Sequence, residues 1–394
     1  MRTFPAGPEL LNPYPFFAEM RRHHPVAFDE RANLWSVYRH ADVSAVLGDH
    51  ESFPNSMAEA GSMPDLGTRR FASLVAFDPP RHTRMRNLVT RAFTSSAVAR
   101  LEGRIAAIVD ELLNAVAATG QTELVADLAG PLPTIVIAEM LGVPAADRTA
   151  FRLWSDAVGD AANAMVADPV TGAARLVAAF TPMEDYLRQV IAERRQRPMD
   201  DLISGLLAAE IDGESLEELD LVAFCTLLLI AGNVTTTHLI GNAILALLNH
   251  PAEQARFVAH PEFVAGAIEE LLRYDSPVIA VARWVRHDIE LGGQQLQKGQ
   301  KVMLWLGAAN RDPAAYPEPD QLDLGRKPAH HRSFGYGAHY CLGAPLARLE
   351  ARIALPAILR RLPELRLAEG AEFEAVPGYF LRGMVRLPMR FRAT

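Results

Sequence analysis

The sequence predicts a mainly helical single domain with small peripheral β-sheets, and three observations lead to that fold class. Apolar residues recur at the 3.6-residue period of helices over most of the chain. Strand-like segments are few and short. The 394 residues contain no Gly/Ser-rich tract, low-complexity block or internal repeat that would mark a linker or a second unit. Because 49% of the residues are apolar, we expect residues 1–394 to form one domain around one large core.

Eleven segments have helical periodicity. The longest, Ser215–Asn249, would be roughly 50 Å long at the helical rise, which is enough to cross a whole domain. Ser215 is its predicted N-cap, and Glu217 and Glu218 follow in the first turn, where negative charge is stabilising. The other predicted helices are Ala41–Leu47, Asp78–Ala92, Ala97–Thr119, Thr134–Leu141, Ala146–Met165, Ala173–Arg195, Leu202–Glu210, Pro251–His260, Pro261–Tyr274 and Gly343–Arg361.

Strands are predicted where residues alternate or are β-branched over a few positions. These segments are Val26–Phe28, Leu34–Tyr38, Ala282–Val285, Gln294–Leu296, Lys301–Leu306 and Met384–Phe391. Residues 310–332 are predicted to be an irregular meander, because four prolines prevent long regular structure there: Pro313, Pro317, Pro319 and Pro328. A loop of this length in a compact domain usually serves a function.

The composition excludes several classes of protein. The formal net charge of −8 is unfavourable for general binding to nucleic acid or to anionic membranes. Two cysteines, Cys225 and Cys341, cannot form a disulfide framework or a multi-cysteine zinc site, so we expect a reducing compartment. The first residues lack a targeting signal, and the longest apolar run, Leu221–Ala231, is too short to cross a bilayer. We expect a soluble cytoplasmic protein without a membrane anchor.

The most informative segment is FGYGAHYCLG, which runs from Phe334 to Gly343 and contains Cys341 directly before a predicted helix. Backbone N–H groups and the helix dipole would lower the pKa of a thiol at that position. Gly335 and Gly337 allow the loop to approach a large flat group, and Phe334 can shield the sulfur from water. A haem iron with a proximal cysteine thiolate needs this combination.

The segment resembles the haem-binding signature of the cytochrome P-450 family, with Phe334, Gly335, Gly337, His339, Cys341 and Gly343 on the motif positions. The resemblance implies haem b (iron protoporphyrin IX) as the cofactor and Cys341 as its axial iron ligand. It also implies the family's single-domain fold, with a long central helix and a cysteine-ligand loop, and here without a fused reductase.

The resemblance implies a structural triad as well. Glu270 and Arg273 lie three residues apart on one face of a predicted helix. In the family such a pair binds an arginine from the meander, and Arg326 occupies that position. We expect these three residues to hold the cysteine loop in place rather than to take part in the chemistry.

A haem carries two propionate carboxylates that need basic partners. The segment DPPRHTRMR places His82 and Arg86 four residues apart on one helical face, and Arg283 follows an apolar segment. His339 stands two residues before Cys341. The resemblance implies that these four residues bind the propionates.

The long helix contains AGNVTT, from Ala231 to Thr236. Ala231 and Gly232 leave space beside the backbone, and Thr235 can turn its hydroxyl toward a ligand. The resemblance implies that these residues form the oxygen-binding groove, where the Thr235 hydroxyl assists cleavage of the O–O bond.

One residue departs from the family pattern. The position before the threonine usually holds Asp or Glu and relays protons, but here it is Val234, which carries no proton. Ordered water, Asn233 or His238 could replace the acid, or dioxygen reduction is poorly coupled to product formation.

The sequence contains no nucleotide-binding GxGxxG or GxxxxGK[ST] motif of the common folds, so electrons are expected from another protein. The resemblance implies a ferredoxin and a ferredoxin reductase as partners. A basic patch could dock the acidic ferredoxin, with Arg91, Arg332, Arg348 and Arg352 as candidate members. We expect the protein itself to be a monomer that binds no nucleic acid.

The resemblance also places substrate contacts in five segments, where the side chains are mainly apolar. An apolar, medium-sized substrate such as a terpenoid, steroid or fatty acid would suit them, and methionines would allow several shapes. The candidate contacts are Met57, Met63, Leu66, Leu228, Val278, Ile279, Phe380 and Leu381.

Three functions are compatible with these features. The first is a monooxygenase that inserts one oxygen atom from dioxygen into an apolar small molecule. The second is a haem-thiolate enzyme driven by peroxide or performing an atypical oxidation, which Val234 suggests. The third is a non-catalytic haem-thiolate protein that binds a ligand, against which Ala231, Gly232 and Thr235 argue because a sensor has no need of an oxygen-binding groove.

Overall fold

The computed structural model, which describes residues 1–56, 74–167, 169–211, 213–327 and 330–394, is built around one long helix. That helix, α10 (Glu218–Asn249), packs against helices on several sides. The other helices are α1 (Tyr14–His23), α2 (His40–Gly48), α3 (Arg81–Ala92), α4 (Ser95–Ala99), α5 (Glu102–Val116), α6 (Pro131–Met140), α7 (Arg148–Ala167), α8 (Pro169–Gln196), α9 (Leu202–Ala208), α11 (Pro251–Ala259), α12 (Val264–Tyr274), α13 (Leu306–Ala309) and α14 (Ala344–Arg361).

Short strands form small sheets beside the helices. The largest sheet has the order β1-β2-β9-β6, in which β2 and β9 are parallel and the other pairs antiparallel. A second sheet has the order β10-β11-β3, and β4-β5 and β7-β8 form two-stranded units. The strands are β1 (Val26–Asp29), β2 (Leu34–Val37), β3 (Gln121–Glu123), β4 (Glu210–Ile211), β5 (Glu214–Ser215), β6 (Val281–Trp284), β7 (Ile289–Leu291), β8 (Gln294–Leu296), β9 (Lys301–Leu304), β10 (Arg366–Leu367) and β11 (Pro388–Arg390). The predicted fold class, mainly helical with small peripheral sheets, is confirmed.

The main core lies between α10 and the helices around it, which include α5, α6, α8, α12 and α14. Smaller apolar clusters fill the two faces of the four-stranded sheet. Helix α10 is long and apolar enough to cross a membrane, with a mean hydropathy of 1.7 over its most apolar window. Because that window is 56% buried inside the protein, its apolar character is explained by its position in the core.

Several predicted boundaries were wrong for local reasons. Ser215 is not the N-cap of the long helix, because it pairs with Glu210 in the β4-β5 unit, and Glu217 is the N-cap instead. The helix predicted from Asp78 begins at Arg81, after two prolines. The helix predicted over 97–119 is interrupted between α4 and α5 and ends in a 3-10 turn.

Two helices were not predicted from the sequence. In α1, the first turn contains proline and aromatic residues, and tertiary packing stabilises it: Phe17 is fully buried, with its ring 5.2 Å from that of Trp305. Helix α13 has four residues, which is too short for a periodic signal. Within the meander, the described residues between 310 and 332 form no helix or strand, as the prolines predict.

Candidate functional site

The cysteine loop lies between the meander and α14, and its own backbone hydrogen bonds give it a defined shape. The N–H of Cys341 donates to the carbonyl of Phe334 at 2.9 Å, and that of Gly335 donates to the carbonyl of Arg332 at 2.8 Å. A 3-10 turn over Gly337–His339 follows, and Gly343 is then the N-cap of α14. The loop therefore presents Cys341 at the start of a helix, as the sequence predicts.

Two glycines in this loop have left-handed backbone conformations. Gly335 and Gly337 both have φ of +73°. A Cβ atom on Gly337 would lie 2.7 Å from the carbonyl oxygen of Leu47 in α2, so only glycine fits there without a shift of the backbone. Gly337 therefore allows the loop to pack against α2, a contact that the sequence does not show.

The electrostatic surroundings of Cys341 combine opposing effects. The residue is accessible on the loop, but the protein around the thiol raises its pKa through lost hydration. Hydrogen bonds from the N–H groups of Gly343 and Ala344, and the charges of Arg86 and Arg348, act in the opposite direction. The expectation of a lowered pKa was therefore wrong for the free thiol, although the predicted helix N–H groups do act on it. A metal ion would complete the ionisation, because a coordinating thiol is deprotonated.

A basic cluster lies beside the loop, where the predicted propionate ligands meet around a buried carboxylate. The rings of His82 and His339 are 4.2 Å apart, and His339 Nε2 is 3.6 Å from Asp78 Oδ1. Burial acts to raise the pKa of Asp78, but His339 and the N–H groups of Asn55 and Ser56 outweigh it and lower the pKa. The carboxylate therefore orders this cluster.

The basic cluster has the properties needed to hold haem carboxylates. Both ring nitrogens of His82 are buried and have no hydrogen-bond partner among the described residues. His339 Nε2 is also buried and lies 3.6 Å from Asp78 Oδ1, which is just beyond hydrogen-bond distance. Burial lowers the pKa of His82 to about 4 and that of Arg283 to about 10. Because buried polar atoms are nearly always hydrogen-bonded, these donors fit the two propionates of a haem.

Arg86 lies in the same region, but its contact in the protein was not predicted. Its Nη2 donates to the backbone carbonyl of Tyr340 at 2.7 Å. Its charge also acts on Cys341, His82 and His339. Arg86 thus connects α3 to the residue before the cysteine.

The predicted triad is brought together in the structure. Arg273 Nε and Nη2 donate to the two carboxylate oxygens of Glu270 at 2.7 and 2.8 Å, and Arg326 Nε donates to Glu270 at 3.1 Å. Arg273 also donates to the carbonyls of Asn310 and Pro319 in the meander. Glu270 and Arg273 are almost completely buried, so the triad fixes the meander that leads to the cysteine loop.

The middle of α10 is less buried than the segments on either side of it. Residues 221–226 and 236–244 are buried, whereas Leu228, Ala231 and Thr235, which share one face, are partly or fully exposed. The Thr235 hydroxyl donates to the Ala231 carbonyl at 2.6 Å. Gly232 has a packing role, since a Cβ there would lie 3.1 Å from Ile137 of α6.

The possible replacements for an acid at Val234 differ in position. The side chain of Asn233 is buried and accepts a hydrogen bond of 3.4 Å from the Thr237 hydroxyl. His238 packs so closely on Gly383 that a Cβ there would overlap its ring, and burial lowers its pKa to about 4. An imidazole that is neutral at neutral pH is a poor proton donor, so the structure favours a packing role for His238.

The predicted substrate contacts differ in how exposed their side chains are. Val278 forms an isolated bridge with Leu381, and both are partly exposed, as are Phe380 and Leu228. Ile279 is only 3% exposed and packs on Gly307, so we exclude it from the lining. Met57, Met63 and Leu66 lie outside the described residues.

The arginines proposed to dock a partner differ in exposure and in their contacts. Arg332 is buried and donates to the Ser44 hydroxyl and the His330 carbonyl, so it is not available at the surface. Arg348 is partly exposed but bound to Glu269, and Arg352 is exposed. Arg91 lies in α3.

Sequence reasoning missed Asp78 and Tyr340. Asp78 stands at the beginning of DPPRHTRMR, and its position before two prolines and a helix was the available signal. Nothing in the sequence indicates that the Tyr340 carbonyl accepts from Arg86, because this contact joins residues 254 positions apart.

Comparisons with known proteins identify the family of this chain. The family model described as Cytochrome P450 matches residues 24–364. The chain is 42% identical to Cytochrome P450 109 of Bacillus spizizenii over 97% of this chain and 92% of that protein. It is 38% identical to the Vitamin D(3) 25-hydroxylase of Pseudonocardia autotrophica, over 98% and 95% of the two chains. The crystal structure of CYP109E1 from Bacillus megaterium in complex with testosterone superposes with a TM-score of 0.87 at 38% identity, over 97% of this chain and 99% of that one.

Proposed function

Because this chain belongs to the cytochrome P450 family, we propose that it inserts one oxygen atom from dioxygen into an apolar small molecule. Members of the family are monooxygenases and bind haem through a cysteine thiolate, and this protein is such an enzyme. The observation that carries the proposal is the position of an accessible Cys341 in the loop beside the buried His82, whose two ring nitrogens have no partner among the described residues.

In this proposal Cys341 would hold the haem iron through its thiolate. The N–H groups of Gly343 and Ala344 and the charges of Arg86 and Arg348 stabilise its thiolate. Phe334 shields the sulfur side of the loop, and its ring is covered by the Arg348 guanidinium at 4.5 Å. When bound, the haem supplies dioxygen activation and electron transfer.

The propionates are assigned to His82, Arg86, Arg283 and His339. Arg283 is positively charged at neutral pH even though burial lowers its pKa to about 10. His82 is neutral there, so it would donate one hydrogen bond rather than an ion pair. Asp78 limits the net positive charge of the cluster and lies 3.6 Å from His339 Nε2.

In the middle of α10, Thr235 is assigned to proton transfer, with Ala231 and Gly232 as neighbours. The Thr235 hydroxyl donates its hydrogen to the Ala231 carbonyl, so the lone pairs of Oγ1 can accept a hydrogen bond from a donor such as water. Val234 provides no carboxylate beside it. Protons would therefore reach Thr235 through water rather than through a resident acid.

The absence of an acid at Val234 favours one second candidate function. Hydrogen peroxide supplies both oxygen atoms, both electrons and the protons, so an enzyme that uses it does not need a relay at position 234. In that case the same Cys341 and propionate contacts would serve a peroxide-driven oxidation.

We propose a steroid-like or terpenoid-like substrate. Leu228, Val278, Phe380 and Leu381 offer apolar, partly exposed side chains for such a molecule. Two relatives carry compatible names, a vitamin D(3) hydroxylase and a CYP109E1 structure that contains testosterone. A cytoplasmic ferredoxin with its reductase would supply electrons, docking near Arg352 and the partly exposed Arg348.

The test is a measurement of coupling. The haem-loaded protein is combined with a surrogate ferredoxin and reductase and offered steroids, terpenoids and fatty acids, and product and peroxide are counted per nicotinamide oxidised. We expect product from a steroid or terpenoid. Product formed only when hydrogen peroxide is added would support the second candidate, and no product under either condition would refute both.

A further inference from the structure

Tyr340, the residue before Cys341, is held at both of its ends. Its backbone carbonyl accepts from Arg86 at 2.7 Å, and its phenol oxygen accepts from Arg348 Nη1 at 3.2 Å. The next N–H, that of Cys341, donates to the Phe334 carbonyl at 2.9 Å. The peptide that joins Tyr340 to Cys341 therefore cannot rotate without breaking a hydrogen bond on each side.

Arg348 is itself fixed by a carboxylate from a different helix. Its Nε and Nη2 donate to the two oxygens of Glu269 in α12 at 2.6 and 2.8 Å. Burial acts to raise the pKa of Glu269, but Arg348 and His331 outweigh it and hold the pKa at about 2. The carboxylate is ionised throughout the neutral range, so the bidentate pair persists.

Glu269 also contacts the beginning of the same loop. His331 Nε2 lies 3.1 Å from Glu269, and His331 Nδ1 accepts from the Ser333 N–H at 3.3 Å. Since Nδ1 is an acceptor, Nε2 carries the proton and donates to the carboxylate. Glu269 thus contacts His331 directly and is connected to Tyr340 through Arg348.

We propose that Tyr340 is a positioning residue for the haem thiolate, acting through the hydrogen bond between its phenol and the Arg348–Glu269 pair. By holding the peptide before Cys341, this contact would keep the sulfur in the position from which it binds the iron and slow its loss as a ligand. The proposal rests on the assignment of Cys341 as the iron ligand.

Tyr336 provides a matched control within the same loop. Its ring lies under the Arg332 guanidinium at 4.6 Å, and it is exposed like Tyr340. Its hydroxyl makes no hydrogen bond with the part of the chain that the structure describes. Removing that hydroxyl changes the surface in the same way without affecting the tie to Arg348.

The experiment compares Tyr340→Phe with Tyr336→Phe in the haem-loaded protein. The readout is the rate at which the red-shifted ferrous–carbonyl band typical of thiolate ligation converts to the band without thiolate, in mild urea. We expect about a three- to tenfold faster conversion for Tyr340→Phe, the effect of one hydrogen bond, and an unchanged rate for Tyr336→Phe. Equal rates in both variants would overturn the proposal.

A double-mutant cycle with Arg348→Lys tests the route of the effect. Lysine keeps the charge near Cys341 but lacks the planar guanidinium that donates to Glu269 and Tyr340 at the same time. We expect the double variant to convert no faster than the faster single variant, and fully multiplicative effects would overturn the coupling. If the unmodified protein has no thiolate-type band, the ligand assignment fails and the inference fails with it, whereas a normal band with no effect of Tyr340→Phe refutes the inference alone.

Discussion

The cysteine loop and the middle of α10 satisfy their polar groups in different ways. Around Cys341, ionised side chains from α3, α12 and α14 reach the loop, and Arg86 and Arg348 both bind Tyr340. Along the partly exposed face of α10, the only polar side chain with a described bond is Thr235, which donates to its own helix at Ala231. If a haem binds at Cys341 as proposed, fixed charges would surround the thiolate, whereas protons on the Thr235 side would have to come from solvent.

The most severe test of the first region is Cys341→Ala. We expect complete loss of the thiolate-type ferrous–carbonyl band and of turnover, since no other thiol is near the loop. Cys225→Ala is the control, because Cys225 is fully buried in α10 and burial raises its pKa to about 12. Survival of the band in Cys341→Ala would remove this residue as the iron ligand.

The next effect concerns the support of the loop. Glu270→Ala leaves Arg273 buried without its carboxylate, and we expect a loss of about 3–5 kcal/mol in the free energy of unfolding, measured by urea denaturation. Arg392→Ala is the matched control, since its pair with Glu364 is exposed at 63% and 62% and should change stability by less than about 0.5 kcal/mol. Similar losses in both variants would show that the triad adds no special support.

Thr235→Ala tests the second region. We expect product per nicotinamide oxidised to fall by about tenfold while peroxide rises, because the hydroxyl proposed to guide protons is gone. Thr237→Ala is the control: its hydroxyl also donates to a carbonyl four residues back, that of Asn233, but it is buried on the opposite face of α10. Unchanged coupling in Thr235→Ala would remove this residue from the mechanism.

The smallest effect is expected from adding the missing acid. Val234→Glu should lower the ratio of peroxide to product a few-fold if solvent supply of protons limits the unmodified enzyme. Val234→Leu, which changes size without adding a proton donor, should leave the ratio unchanged. A ratio that does not respond to the acid would mean that protons reach Thr235 efficiently through water. The lack of ionised side chains along the middle of α10 would then not limit turnover.

Features carried by neighbouring residues could be predicted from the sequence. The cysteine loop, the Glu270–Arg273 pair and the Ala231–Thr235 segment each lie within ten residues, so local spacing is enough to identify them. Most helices could also be predicted, because periodicity is a local property. Their ends were less predictable: Ser215 pairs with Glu210, and pairing energy outweighed its preference for a helix cap.

Which distant groups meet depends on how the whole chain packs. Asp78 lies beside His339, and Glu269 contacts both His331 and Arg348, although these partners are far apart in the chain. That packing also placed Ile279 in the core and His238 against Gly383, where the sequence had suggested a substrate contact and a proton donor. The chemistry expected of Cys341 follows from the sequence alone, because the cysteine, its glycines and its helix are contiguous. The charges that surround that chemistry depend on how α3, α12 and α14 pack, and packing is a property of the whole chain.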